Sequence, residues 1–221
     1  MLTVHHLNNS RSQRVLWLLE ELGVPYEIVR YQRLPTMLAP PELRAIHPLG
    51  KSPVITDRGN TIAESGAIIE YIVSTYGEGR LIPPAGTPER MRFTYWLHYA
   101  EGSAMPPLLL KLIFGFMPKR APALMRPLVR AISNKALETM VNPQLKTHMA
   151  FWESELSTSE WFAGPEFTAA DIQMSFPLEA ASGRAGLRQG HPKAIAWLDR
   201  IHARPAYQRA LEKGGPYSIG G

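Results

Sequence analysis

Gly50-Lys51-Ser52-Pro53-Val54-Ile55-Thr56-Asp57-Arg58-Gly59-Asn60-Thr61-Ile62-Ala63-Glu64-Ser65 is the most informative stretch of the chain. Pro53 opens the apolar pair Val54-Ile55, and the start of a strand is a place where a proline is tolerated. Asp57-Arg58-Gly59-Asn60 is turn chemistry, and Thr61-Ile62-Ala63 reads as a partner strand, which predicts a hairpin. Glu64-Ser65 stands directly ahead of Ala67-Ile68-Ile69-Glu70-Tyr71-Ile72-Val73, which is helical in pattern. A serine at a helix N-terminus, backed by free backbone N–H groups, is a ready anion site. A proline at a strand start also exposes the backbone of the residue before it, and X-Pro bonds are where cis peptides occur. A strand edge and a helix N-terminus this close in sequence can hold an extended peptide carrying a carboxylate.

Upstream, Leu2, Val4 and Leu7 give a short alternating strand, and Asn8-Asn9-Ser10 is a turn and cap cluster. From Arg14 onward Val15, Leu18, Leu19 and Leu22 fall at i, i+3, i+4 and i+7, one face of a helix that ends at Gly23. Pro25 restarts the chain and Tyr26-Glu27-Ile28-Val29-Arg30-Tyr31 reads as a second strand. Strand, helix, strand implies a parallel pair with a right-handed crossover. Leu38 to Ile46 is a weaker, proline-edged helical piece. Residues 1–76 therefore follow the order β-α-β-α-β-β-α.

Residues 77–88 are rich in Gly and Pro and read as a linker, after which only helical patterning remains. A long helix is expected from Glu89 to about Met117, kinked by Pro106-Pro107. Another is expected from about Leu124 to Leu156, bent near Pro143. Thr168-Ala169-Ala170-Asp171 is a capping-box pattern with Asp in the third position, and shorter helices follow at Pro192–Ala203 and Pro205–Lys213. The expectation is an α/β unit over 1–76 joined through 77–88 to an all-α unit over 89–221.

Composition narrows the chemistry. The 221 residues are 45% hydrophobic and 19% charged, ordinary values for a globular chain. There is no cysteine, so disulfides, thiolate metal sites and cysteine nucleophiles are excluded. The seven histidines show no paired ligand spacing, and His5 and His6, adjacent on a strand, point to opposite faces. No metal site is expected. Met1 to His6 lacks the pattern of a signal peptide, and the longest apolar stretch, Met105 to Pro118, is broken by Lys111 and too short to span a bilayer. Cytoplasmic residence without stable membrane insertion is the expectation. Net charge is +5, and between Lys111 and Lys135 lie six basic residues and no acidic one. With no aromatic interleaving, this segment reads as a solvated surface around a Pro-rich loop, and no nucleic-acid partner is expected.

The Gly50–Ser65 stretch resembles the glutathione-binding half of the cytosolic glutathione transferases. The β-α-β-α-β-β-α order is the thioredoxin-like order, and a thioredoxin-like half followed by a helical half is the architecture of that family. The Thr168–Asp171 cap is also a family feature, with a structural role. Trp96 to Leu108 is similar to a bacterial and fungal subgroup. The resemblance implies a cis bond before Pro53, a backbone at Ser52 that pairs with the glutathione cysteine, and a Glu64-Ser65 pair that holds the γ-glutamyl end, Glu64 on the ammonium and Ser65 on the carboxylate. It also implies that Lys51 meets the glycine carboxylate and that the protein is a homodimer.

An enzyme that uses glutathione as a nucleophile must stabilise a thiolate, since a free thiol has a pKa of about 8.5. A hydroxyl donor and the positive end of a helix dipole serve that end. Ser10 and Ser12 both lie at the start of the first helix. In serine-type transferases the catalytic Ser precedes an Arg here. Spacing to Arg14 selects Ser10 on one family pattern and Asn9 on another, and Ser10 is preferred; Ser10 is otherwise only an N-cap. Arg11 is a weaker anion contact. Tyr95, Tyr99, Met105 and Leu109 are the expected lining of a pocket for a small hydrophobic electrophile, and core packing is the competing role for each. The function expected is glutathione conjugation. Glutathione-dependent peroxide reduction or isomerisation, or a non-catalytic binding role on the same fold, are the alternatives.

Overall fold

The computed structural model describes residues 1–36 and 38–219; Gly220 and Gly221, the end of the expected helical unit, lie outside them. In chain order the first half comprises β1 (Leu2–Leu7), α1 (Ser12–Leu22), β2 (Tyr26–Tyr31), α2 (Pro41–Ile46), β3 (Val54–Asp57), β4 (Asn60–Ala63) and α3 (Ser65–Tyr76). The second half is helical: α4 (Pro88–Tyr99), α5 (Met105–Arg120), α6 (Arg126–Ala136), α7 (Asn142–Thr158), α8 (Ala169–Arg184), α9 (Pro192–His202) and α10 (Pro205–Gly214).

The sheet order is β2-β1-β3-β4. β1 and β2 run parallel, from Leu2 opposite Tyr26 to Leu7 opposite Tyr31, as a strand-helix-strand connection requires. β3 is antiparallel to β1, with Val4 opposite Ile55, and β4 returns along β3. The hairpin turn is Arg58-Gly59, with φ of 50° and 80°. Positive φ at both central positions is the turn geometry that matches strand twist, and glycine supplies one of them at no steric cost. β1, an inner strand, is buried everywhere except at Thr3.

α2 begins at Pro41, later than the expected Leu38, because Pro41 at the first helical position pushes Pro40 into extended backbone (φ −71°, ψ 160°). The two long helices expected in the second half are each interrupted. A π-turn spans Ala100–Ala104, where the Met105 N–H bonds to Ala100 O, and another spans Leu137–Val141, where the Asn142 N–H bonds to Leu137 O. In both cases proline follows directly, Pro106-Pro107 and Pro143. A residue without an N–H breaks the regular ladder, and the helix absorbs the break by widening one turn.

α1 is the centre of the molecule. Nine of its eleven residues are buried, and it packs on β1 and α3 on one side and on α8 and α10 on the other. Gly23, at φ 66°, ends it with an N–H bond to Leu19 O. The helical half closes around Trp96, Trp152, Phe162 and Trp197, all essentially inaccessible. At its centre the buried Asp171 accepts hydrogen bonds from the N–H groups of Thr168 and Phe162, each at 3.0 Å, and from Trp197 Nε1 at 3.3 Å. One carboxylate thus fixes the start of α8, the 161–164 loop and α9.

Candidate functional site

Four segments meet at the first turn of α1. Ser10 is buried, and its Oγ lies 2.8 Å from Ser12 Oγ and 3.0 Å from Ser52 Oγ while accepting the Ser12 N–H at 3.2 Å. The Ser52–Pro53 bond is cis. One turn further on, the fully buried Arg14 donates from Nη1 to Gln173 O at 2.6 Å and from Nη2 to Ser65 Oγ at 3.1 Å and Glu101 Oε1 at 2.6 Å. Ser10 therefore ties the proline loop to α1, and Arg14 ties the start of α3 to the helical half.

Glu101 sits in the first π-turn and also receives Arg11 Nε, at 2.8 and 3.0 Å. Burial pushes its carboxyl up, but the Arg14 and Arg11 guanidiniums outweigh that and hold it below the usual range. Arg11, expected as an anion contact, spends its Nε on Glu101 and lies over the Phe176 ring at 4.5 Å.

Two helix N-termini face this region. In α3 the first backbone bond runs from the Ile68 N–H to Glu64 O at 2.9 Å, so Ser65, Gly66 and Ala67 present N–H groups with no partner in the helix. Glu64 is exposed, in a conformation with φ 72° that non-glycine residues seldom adopt. Lys51 is exposed and Ser52 half-buried. Asn9, at φ 48°, holds the Ser218 N–H on Oδ1 at 2.8 Å, which brings the C-terminal segment onto the same turn. Behind the turn Ser12 Oγ reaches His6 Nδ1 at 2.8 Å, and burial above all pushes that imidazole down to about 4.

The residues expected to line an electrophile pocket lie on α4 and on the first turns of α5. Tyr95 is half exposed on α4 and stacked on the Tyr99 ring at 5.5 Å. Tyr99 itself faces α7, with its hydroxyl between His148 Nδ1 and Trp152 Nε1. Met105 is buried at the start of α5 and Leu109 is half exposed one turn on. Among the described residues no group of three or more His, Asp or Glu side chains could hold a metal ion. A cavity of about 530 Å³ bounded by Met1, Gly23, Arg58, Tyr76 and Arg80 contains none of the site residues.

Sequence reading passed over Glu101, His6 and the anchoring role of Arg14. The signal for Glu101 was present: it lies just ahead of the Pro106-Pro107 interruption, and π-turns frequently mark functional positions. His6 and Arg14 carry no local signal, since their contacts depend on the assembled fold.

Residues 1–74 match the family described as glutathione S-transferase, N-terminal domain, and residues 116–205 match glutathione S-transferase, C-terminal domain. The chain belongs to the glutathione S-transferase family. It is 36% identical to glutathione S-transferase 3 of Schizosaccharomyces pombe over 96% of this chain and 88% of the relative. It is 32% identical to glutathione S-transferase 1 of Saccharomyces cerevisiae, over 96% and 95%. The crystal structure of a glutathione S-transferase from Actinobacillus pleuropneumoniae superposes with a TM-score of 0.78 at 31% identity, covering 99% of this chain and 94% of that one. The transferase architecture, a thioredoxin-like sheet domain followed by a helical domain, is thus seen both in the fold and in its relatives.

Proposed function

We propose that this transferase binds reduced glutathione against Ser52, Pro53 and the start of α3, with Ser10 as the hydroxyl donor to its thiolate. The observation that carries this reading is the convergence at α1: Ser10 lies 3.0 Å from Ser52, while Arg14 reaches Ser65 at 3.1 Å. An extended tripeptide then pairs its cysteine backbone with Ser52 and its γ-glutamyl carboxylate with Ser65 and the free N–H groups of α3. Glu64 takes the γ-glutamyl ammonium and Lys51 the glycine carboxylate. The thiolate attacks a small apolar electrophile lying against Tyr95, Met105 and Leu109, with Tyr99 as the ring behind Tyr95. We further propose a homodimer, to which the exposed Met91 of α4 offers apolar surface, and residence in the cytoplasm. No helix among the described residues is long and apolar enough to cross a membrane.

Calorimetric titration of reduced glutathione in buffers of different ionisation enthalpy tests the reading. Sub-millimolar binding with proton release near neutral pH, lost in Ser10→Ala, supports it. Binding whose proton release survives Ser10→Ala moves the donor role to Asn9, Ser12 or the backbone. No binding at all leaves a transferase fold used as a binding module.

A further inference from the structure

Ser52, Ser10, Ser12 and His6 form one chain of polar contacts, with successive distances of 3.0, 2.8 and 2.8 Å. A hydroxyl has a single hydrogen to donate, so fixing one end of such a chain fixes every link. The His6 end sets the direction. Its Nδ1 lies on Ser12, and the carbonyl of Gly214, at the end of α10, favours a proton on the ring. A neutral ring that carries its proton on Nε2 leaves Nδ1 as a bare acceptor. The other partner of Ser12 Oγ on that side, Leu7 O at 3.4 Å, is also an acceptor. Arg30 is the charged group that acts on His6 from β2, and its charge disfavours a protonated ring.

With that tautomer the Ser12 hydrogen points toward β1, to His6 Nδ1 or Leu7 O. Ser10 must donate to Ser12, and Ser52 must donate to Ser10. With the Ser12 N–H also on its Oγ at 3.2 Å, Ser10 has no hydrogen left to offer outward.

We propose that the neutral His6 ring carries its proton on Nε2, and that Ser12 and His6 are thereby positioning residues that hold the Ser10 hydroxyl hydrogen turned inward, so that donation to a bound thiolate requires the chain to reverse. This rests on Ser10 being the thiol donor. It follows that the inward branch raises the pKa of the bound glutathione thiol above the value Ser10 would otherwise set. Ser12→Ala removes the acceptor and leaves the Ser10 hydrogen free for sulfur. His6→Phe acts in the same direction but less, because Leu7 O remains as an acceptor for Ser12.

The test is a pH titration of thiolate absorbance for glutathione bound to wild type, Ser10→Ala, Ser12→Ala and His6→Phe, each first checked for cooperative melting. The expected result is a thiol pKa raised in Ser10→Ala, lowered by about one unit in Ser12→Ala, and lowered by less in His6→Phe. If Ser10→Ala raises the value while the other two leave it unchanged or raise it, the inward polarity is overturned and the Ser10 assignment stands. If Ser10→Ala changes nothing, the donor assignment fails and the proposed control falls with it. Should Ser12→Ala not fold, His6→Phe alone decides, a lowered value supporting the proposal and an unchanged or raised one overturning it.

Discussion

α1 and α6 are both eleven residues long, and they occupy opposite extremes of the molecule. α1 is buried on nearly every side, whereas α6 fully buries only Ser133 and leaves Leu128 and Ile132 more than half exposed. Apolar spacing alone misjudges both. It credits α1 with a single face, because the cover over Leu16 and Trp17 comes from residues near the other end of the chain. α6 has a well-segregated apolar face that α5 only partly covers. Periodicity reports that a helix has a face to bury, and tertiary partners decide how much of it is buried. The candidate site sits on a helix packed against both halves of the molecule, where the geometry of a hydroxyl or guanidinium can be held.

The contrast can be broken hardest at Trp17, which packs edge-on against Tyr207 at 5.1 Å. Trp17→Ala should cost about 4 kcal/mol in chemical denaturation, and a loss below about 1 kcal/mol would mean that α10 does not hold α1 as described. Asp171→Ala should cost about 3 kcal/mol, by orphaning the Phe162 N–H and Trp197 Nε1 as well as the cap. Burial raises the Asp171 carboxyl to about 6 in the folded protein, so its protonation stabilises the fold as pH falls and that contribution is lost as pH rises through about 6. The stability gap between wild type and Asp171→Ala should therefore widen from pH 8 to pH 5, and a gap independent of pH would refute the shift.

Glu101→Gln leaves Arg14 without its carboxylate. A fully buried broken pair costs about 3 to 5 kcal/mol, but Glu101 is one-third exposed, so a loss of about 2 kcal/mol is expected. A raised KM for glutathione should accompany it, and steady-state kinetics that match wild type would separate Glu101 from the site. At the other extreme, Leu128→Ser on α6 should change stability by less than about 0.5 kcal/mol.

Most of the first half was legible in the sequence, because its signals are local. The hairpin from Val54 to Ala63 and the strand-helix-strand opening each follow from spacing within a few residues. The proline interruptions of the long helices were legible too, although not the π-turns that resolve them. What stayed hidden depends on distance along the chain. Glu101 meets Arg14 across 87 residues and Ser218 meets Asn9 across 209, and no periodicity encodes such pairings. Ser10 and Ser52 could be named from pattern and resemblance. The links from Ser10 back to His6 required the folded backbone.

The cover that α10 places on α1 has a further consequence, in the timing of synthesis. Glu20 pairs with Arg209, 189 residues later. At about 5 to 20 residues per second, a ribosome takes roughly 10 to 40 s to make the intervening chain. From the completion of the sheet unit until residues 205–214 are made, Leu16 lacks its neighbour Gly214 and Trp17 lacks Tyr207. It is in that window, before α10 exists, that this chain most resembles a chaperone client.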